Sequence, residues 1–168
     1  RSGGTMNRDD WRRDNVNLLV REVMELVESE HPHVRFGISP FGIWKAGVPV
    51  PGLNAYEAIS CDAVAWLENE WVDYLTPQLY WLESSPQKYS TLATWWAARL
   101  NGRHLYPGHA TYRMRPGNGD WDLVEIENQV EFTRTLRAQN ALGDVQFRAE
   151  DLWQLNTKNV RAQAGTID

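Results

Sequence analysis

The chain has 168 residues, 42% hydrophobic and 23% charged, which fits one globular domain with a single core. No run approaches the ~18 consecutive apolar residues of a membrane span, and a net charge of −5 with no Lys/Arg stripe argues against a nucleic-acid partner. The lone Cys61 excludes an internal disulfide and, among helix-forming neighbours, reads as a buried structural thiol.

Asp14 is the expected cap of a helix from Asn15 to about Glu30, whose apolar residues Val16, Leu19, Val20, Val23, Met24, Leu26 and Val27 recur at helical spacing. Pro32 ends it, and a strand from Val34 to about Ser39 follows. The loop Lys45–Asn54, with Pro49, Pro51, Gly47 and Gly52, suits a mouth loop with fixed turns. A second helix spans roughly Ala55 to Glu70, with Ile59, Ala63, Trp66 and Leu67 on its buried side. In the next strand, Val72–Tyr80, Leu75, Pro77 and Leu79 share one face and Tyr74, Thr76, Gln78 and Tyr80 the other. Pro86 and Gln87 open a third helix through about Leu100, with Gly102 as its C-cap. A third strand, His104 to about Thr111, leads into the Gly- and Pro-rich loop Arg113–Asp120. Helix four runs from about Leu123 to Ala141 and Gly143 stops it. Strand four, Val145–Ala149, precedes Asp151 as a cap and a last helical stretch from near Leu152.

One helix followed by four strand–helix units is the pattern of an α/β protein with a parallel sheet and right-handed crossovers. Strand starts at 34, 72, 104 and 145 lie 38, 32 and 41 residues apart. A (β/α)8 barrel of ~250 residues averages roughly 31 per unit, and mouth loops lengthen that. Four units make half a barrel, whose first and last strands would be open edges. A longer chain, association of two copies, or an open doubly wound sheet each answers that. The last is disfavoured because no strand–helix turn carries GxGxxG or GxxxxGK[ST], so no nucleotide or other cofactor is expected. The opening Arg1–Thr5 and the stop at Gly165–Asp168 read as a piece of something longer.

Four segments are similar in order and residue type to the bacterial glycosyl hydrolase-like 10 family. They are Trp11–Val16 (WRRDNV), Phe36–Trp44 (FGISPFGIW), Val72–Trp81 (VDYLTPQLYW) and Gly102–Gly108 (GRHLYPG). The resemblance covers nearly the whole chain. It implies a TIM-barrel glycosidase, exported or held at the cell envelope, of which residues 1–168 supply barrel strands five to eight as one partial domain. It also implies a substrate among envelope polysaccharides, such as peptidoglycan glycan strands stripped of peptide. Family members carry an acidic Asp-Asp-Tyr-type motif at the end of barrel strand four. No such motif precedes Trp11 here, and Asp9-Asp10 lies in a polar lead-in to a helix without an apolar strand before it.

Glycoside hydrolysis uses two carboxyl groups across the scissile bond, and in a barrel they project from carboxyl-terminal strand ends. The first three strand ends here offer Ser39, then Gln78 with Tyr80, then Ala110 with Thr111. The fourth offers Glu150, a candidate sugar-contacting acid, and Asp151, whose simpler role is a helix cap. Glu83, Asp120 and Asp122 fall in mouth loops and read as solvated. The main acids are therefore expected from the half of the barrel that residues 1–168 do not supply.

Recognition is better represented. Sugars offer apolar C–H faces and a ring of hydroxyls, so their sites pair aromatic platforms with amides and hydroxyls. Trp44 and Trp81 each follow a strand end, as platforms or as loop braces. Gln78 can donate and accept, Tyr80 adds a phenol on the same face, and Arg113 at the third strand's exit can reach a carboxylate or the solvent. Trp66, Trp95 and Trp96 lie on helices and read as packing. His31, His33, His104 and His109 lack convergent metal-ligand spacing, so no metal is expected. The expected function is therefore a glycoside hydrolase using general acid–base carboxylates, with a non-catalytic glycan-binding barrel protein as the alternative. An open α/β enzyme for small metabolites ranks third.

Overall fold

The computed structural model describes residues 4–153. Helix α1, Arg8–Glu30, begins seven residues before the predicted start: Asn7, not Asp14, is its cap, accepting from the amides of Asp9 and Asp10. Asp9 and Asp10 thus occupy its first turn, where carboxylates complement the helix dipole. Of the predicted apolar set only Val20 and Met24 are buried; Leu19 and Leu26 stand exposed on the far side.

Parallel strands β1 (Gly37–Ile38), β2 (Tyr74–Leu75) and β3 (His104–Leu105) form one ladder in chain order. Strand β4 (Gly108–His109) pairs in parallel with β5 (Val145–Gln146). Pro107 separates β3 from β4, yet the amides on either side both bond back to the second strand, Tyr106 to Leu75 O and Gly108 to Pro77 O. Single bridges extend the pattern at Phe41–Gln78, Gln78–Gly108 and Leu105–Ala141. Each strand therefore lies beside its chain neighbour, without the reversal that a doubly wound sheet contains. The ladders are shorter than the predicted strands because the apolar runs continue past the last paired amides.

The helices between them are broken where sequence periodicity alone reads them as continuous. Residues 55–70 form two pieces, α2 (Ala55–Ala58) and α3 (Ala63–Glu68), separated at Ser60 with φ of +56°. Helix α4 is Tyr89–Ala97, with Ala98 rather than Gly102 as its C-cap. Helix α5 is Leu123–Thr135, and after a single 3-10 turn the left-handed Asn140, not Gly143, ends the segment. Residues 149–153 are already helical, and the rest of the stretch predicted from Leu152 lies outside the described residues.

The core lies between the helices and one sheet face, where Leu75, Leu79, Leu105, Leu92 and Trp96 are fully buried. Trp66 Nε1 donates to Asn17 at 2.7 Å, fixing α3 on α1, and Trp96 Nε1 donates to Gly42 O at 2.9 Å, fixing α4 under the loop after β1. The opposite face carries Gly37, Tyr74, Tyr106 and Val145. A Cβ at Gly37 would lie 2.3 Å from the Tyr74 ring, so only glycine lets that ring cross the first strand. At the amino-terminal strand ends this face opens a cavity of about 600 Å³ lined by Arg35, Asp73, Tyr74, Arg103, His104 and Tyr106. No helix among the described residues is long and apolar enough to cross a membrane.

Candidate functional site

At the carboxyl-terminal ends the second strand continues through Gln78 to Trp81, and the third and fourth run on to Tyr112 and Phe147. The amide of Leu79 bonds Gly108 O, that of Phe147 bonds His109 O, and that of Tyr112 bonds Phe147 O. These backbone ties bring three rings together. Tyr80 stacks on Phe147 at 5.8 Å with 24° between planes, and Tyr112 stands edge-on to both at 6.0 Å. Half-burial, with the neighbouring Tyr112, raises the Tyr80 pKa above its ordinary value, so the phenol is a neutral donor and acceptor near pH 7. Neither tyrosine hydroxyl has a hydrogen-bond partner among the described residues.

Gln78 sits between the first and third strands. Its Nε2 donates to Ser39 O at 3.3 Å, and its Oε1 stays open among the described residues. The loop after β1 comes close because residue 42 is glycine: a Cβ there would lie 2.3 Å from Gln78 O and 2.8 Å from the Trp81 ring. Phe41 meets Trp81 edge-on at 5.6 Å. Arg113 leaves the third strand in a 3-10 turn (Thr111–Met114), its guanidinium carbon 5.4 Å from the Tyr112 centroid and 5.5 Å from that of Trp121. The structure thus brings Gln78, Tyr80 and Arg113 to one aromatic floor, with Ser39 meeting Gln78 through its carbonyl, whereas Trp81 packs on Phe41 against the core.

Trp44 stands elsewhere. Its Nε1 donates to Asp62 at 3.0 Å, and its ring meets Tyr56, Trp95 and the Lys45 ammonium at 4.0 Å. Glu150 is 3.2 Å from Arg148. Asp151 is fully buried and held by Arg115 at 2.8 Å and Arg148 at 3.5 Å, a tie between loop and strand rather than the predicted helix cap. Glu83 accepts from the Ser90 amide and hydroxyl, Asp120 from the Gly117 amide, and Asp122 caps α5. The mouth-loop acids are exposed, as expected, and each also accepts a local hydrogen bond.

His109 is buried in the helical layer, stacked on Tyr89 at 5.2 Å, with Gln129 Oε1 3.0 Å from Nδ1 and Asp144 Oδ1 2.6 Å from Nε2. Gln129 Nε2 donates to Trp81 O and to Glu125, so this chain of bonds holds the platform loop from beneath. No group of three or more His, Cys, Asp or Glu residues able to hold a metal ion occurs among the described residues.

Sequence reasoning missed Tyr112 and Phe147 as members of the floor, and Trp121 as the ring beside Arg113. The available signal was that Val145 and Phe147 share a strand face and that Tyr112 immediately follows the third strand. The model of a family described as glycosyl hydrolase-like 10 matches residues 3–123. The chain is 36% identical over 159 residues to "Glycosyl hydrolase YngK" of Bacillus subtilis strain 168, covering 87% of this chain and 31% of that protein. It is 35% identical over 164 residues to "Glycosyl hydrolase DigH" of Escherichia coli K12, covering 89% and 37%. The same-named protein of Escherichia coli O6:H1 is 32% identical over 164 residues. The chain spans about a third of the length of these curated relatives.

Proposed function

This chain belongs to the glycosyl hydrolase-like 10 family, and on that premise we propose that it forms the carboxyl-terminal half of a (β/α)8-barrel glycoside hydrolase. Its substrate is an envelope polysaccharide such as peptidoglycan glycan strands, and its place of action the cell envelope. Four parallel strands in chain order support the barrel, since a singly wound barrel adds each unit beside the last. The observation that carries the functional reading is the floor of Tyr80, Tyr112 and Phe147 beside Gln78, at the strand ends where barrel enzymes work.

In this reading a sugar ring lies its C–H face on the floor, while Gln78 and the two phenols hold its hydroxyls. The general acid and base come from the other strands of the barrel. Glu150 is offset by Arg148 and Asp151 is sealed by Arg115, so neither stands ready to exchange a proton with a glycosidic oxygen. That same lack favours a second reading, a glycan-binding barrel protein without hydrolysis.

Release of reducing ends from peptide-free peptidoglycan strands by the full-length protein tests both. Release that depends on carboxylates outside residues 1–168 establishes the hydrolase. Saturable binding with no release leaves the glycan-binding protein.

A further inference from the structure

His109 is fully buried, and the hydrogens around its ring are dictated by neighbours that can only accept. Gln129 Nε2 donates to Trp81 O at 3.0 Å and to Glu125 Oε1 at 2.8 Å. A carbonyl cannot donate, and that carboxylate oxygen already takes the Glu83 amide at 2.8 Å, so both amide hydrogens of Gln129 are committed. Gln129 Oε1 therefore has to face His109 Nδ1, 3.0 Å away, and Nδ1 has to carry a hydrogen. Across the ring, Nε2 lies 2.6 Å from Asp144 Oδ1, a contact that is attractive only with a proton between the two atoms.

Both sides of the floor depend on this residue. Through Gln129 its side chain fixes Trp81 O, one residue beyond Tyr80, and Glu125 fixes the Glu83 amide just after it. Through its own carbonyl it takes the Phe147 amide at 2.9 Å, which seats the ring that Tyr80 stacks on. Without the Nδ1 hydrogen, Gln129 Oε1 is buried and lacks its donor. Turning the amide over instead sets its oxygen against Trp81 O and Glu125. In both cases the segment 81–83 loses its hold.

We infer that His109 is a positioning residue for the glycan seat: its Nδ1–H selects the one Gln129 amide orientation that holds Trp81 O, and Asp144 fixes the ring from the other side. This inference rests on the reading of the Tyr80 cluster as a place where a sugar lies. His109 has no exposed surface with which to touch a ligand, and it acts through Gln129 and Phe147. Its effect therefore falls on how tightly the sugar is seated, not on proton transfer at the glycosidic oxygen.

Two substitutions separate the donor from the packing, because asparagine places an amide nitrogen near the site of Nδ1 and glutamine near that of Nε2. Both lose the stack on Tyr89 and should lower Tm to a similar degree. In the full-length protein, H109N should keep the Kd for peptide-free peptidoglycan oligomers within about 3-fold of the unmodified value, whereas H109Q should raise it about 10-fold. In both, kcat on these oligomers should change less than about 2-fold. Amide hydrogen exchange over residues 79–85 should quicken in H109Q and stay near the unmodified rate in H109N. Q129E keeps an acceptor toward Nδ1 but loses the donor to Trp81 O. It should reproduce H109Q, and it carries the test if neither His109 variant folds. Equal weakening by H109N and H109Q, or a Q129E segment as protected as the unmodified one, overturns the positioning role and leaves the glycan reading intact. Failure of the unmodified protein to bind or cut the oligomers overturns the glycan reading and the seat with it, while the exchange contrast shows separately whether His109 ties the segment.

Discussion

Two aromatic clusters stand at the mouth of the strands, and they treat their polar edges in opposite ways. Around Trp44 the indole N–H is given to Asp62, Lys45 covers the ring at 4.0 Å, and Arg13 lies 3.5 Å from the Tyr56 centroid. Around Tyr80 two phenols, one amide oxygen and one guanidinium have no hydrogen-bond or ion-pair partner among the described residues. Both clusters are rich in rings, so aromatic content at a strand end does not separate a brace from a platform. The distinction lies in whether the polar edges are already satisfied within the chain, because a satisfied group has little left to offer a ligand.

The sharpest way to break the comparison is Trp44→Ala. It should lower unfolding stability by about 2–4 kcal/mol, through lost packing on Tyr56 and Trp95 and the lost hydrogen bond to Asp62, while on the hydrolase reading the full-length protein keeps its kcat/KM. A selective loss of kcat/KM at unchanged denaturant midpoint would move Trp44 into the open cluster. Cys61, between α2 and α3 next to Asp62, belongs to the closed region. Burial pushes its thiol up from 9.0 to about 11, so the neutral thiol stabilises the fold below pH 9 and that contribution is lost as pH rises toward 11. Urea titrations between pH 9 and 11 should show a loss about 2 kcal/mol larger than that of a Cys61→Ala variant, the remainder coming from groups such as buried Tyr89 whose pKa is also raised.

In the open cluster, Gln78→Ala in the full-length protein should cut kcat/KM by at least ~10-fold, about 1.4 kcal/mol, with little change in Tm. A parallel fall in Tm would assign Gln78 to the Ser39 contact instead. Tyr80→Phe keeps the stack on Phe147 and removes only the hydroxyl. It should cost about 1 kcal/mol of transition-state binding, roughly fivefold in kcat/KM, again with stability nearly unchanged.

Alternation and composition made the α/β pattern legible: each of the four predicted strands is represented in the ladders, and the faces of the second strand match its burial except at Thr76, which is buried too. Boundaries were less legible where a polar group overrides periodicity. The first turn of α1 is Arg8, Asp9 and Asp10, which shows no apolar repeat, so its start depends on the Asn7 side chain. Ser60 and Asn140 adopt positive φ within stretches of good helix formers, which periodicity does not register. At the site, Gln78 and Tyr80 were legible because they alternate with buried Leu75 and Leu79. Phe147 was not, since its partner Tyr80 lies 67 positions away and only the folded sheet joins them. Trp44 follows its strand much as Trp81 does, and sequence does not reveal that its loop turns toward Asp62.

The chain-order arrangement of the strands bears on how the molecule is made. Among the described strands, each one after the first pairs with a strand already synthesised, so it need not wait for a later segment before it can dock. Each crossover closes a loop of moderate length, so the entropy of bringing partners together is met in similar steps rather than in one long search. Translation then delivers the units in the order in which they are assembled.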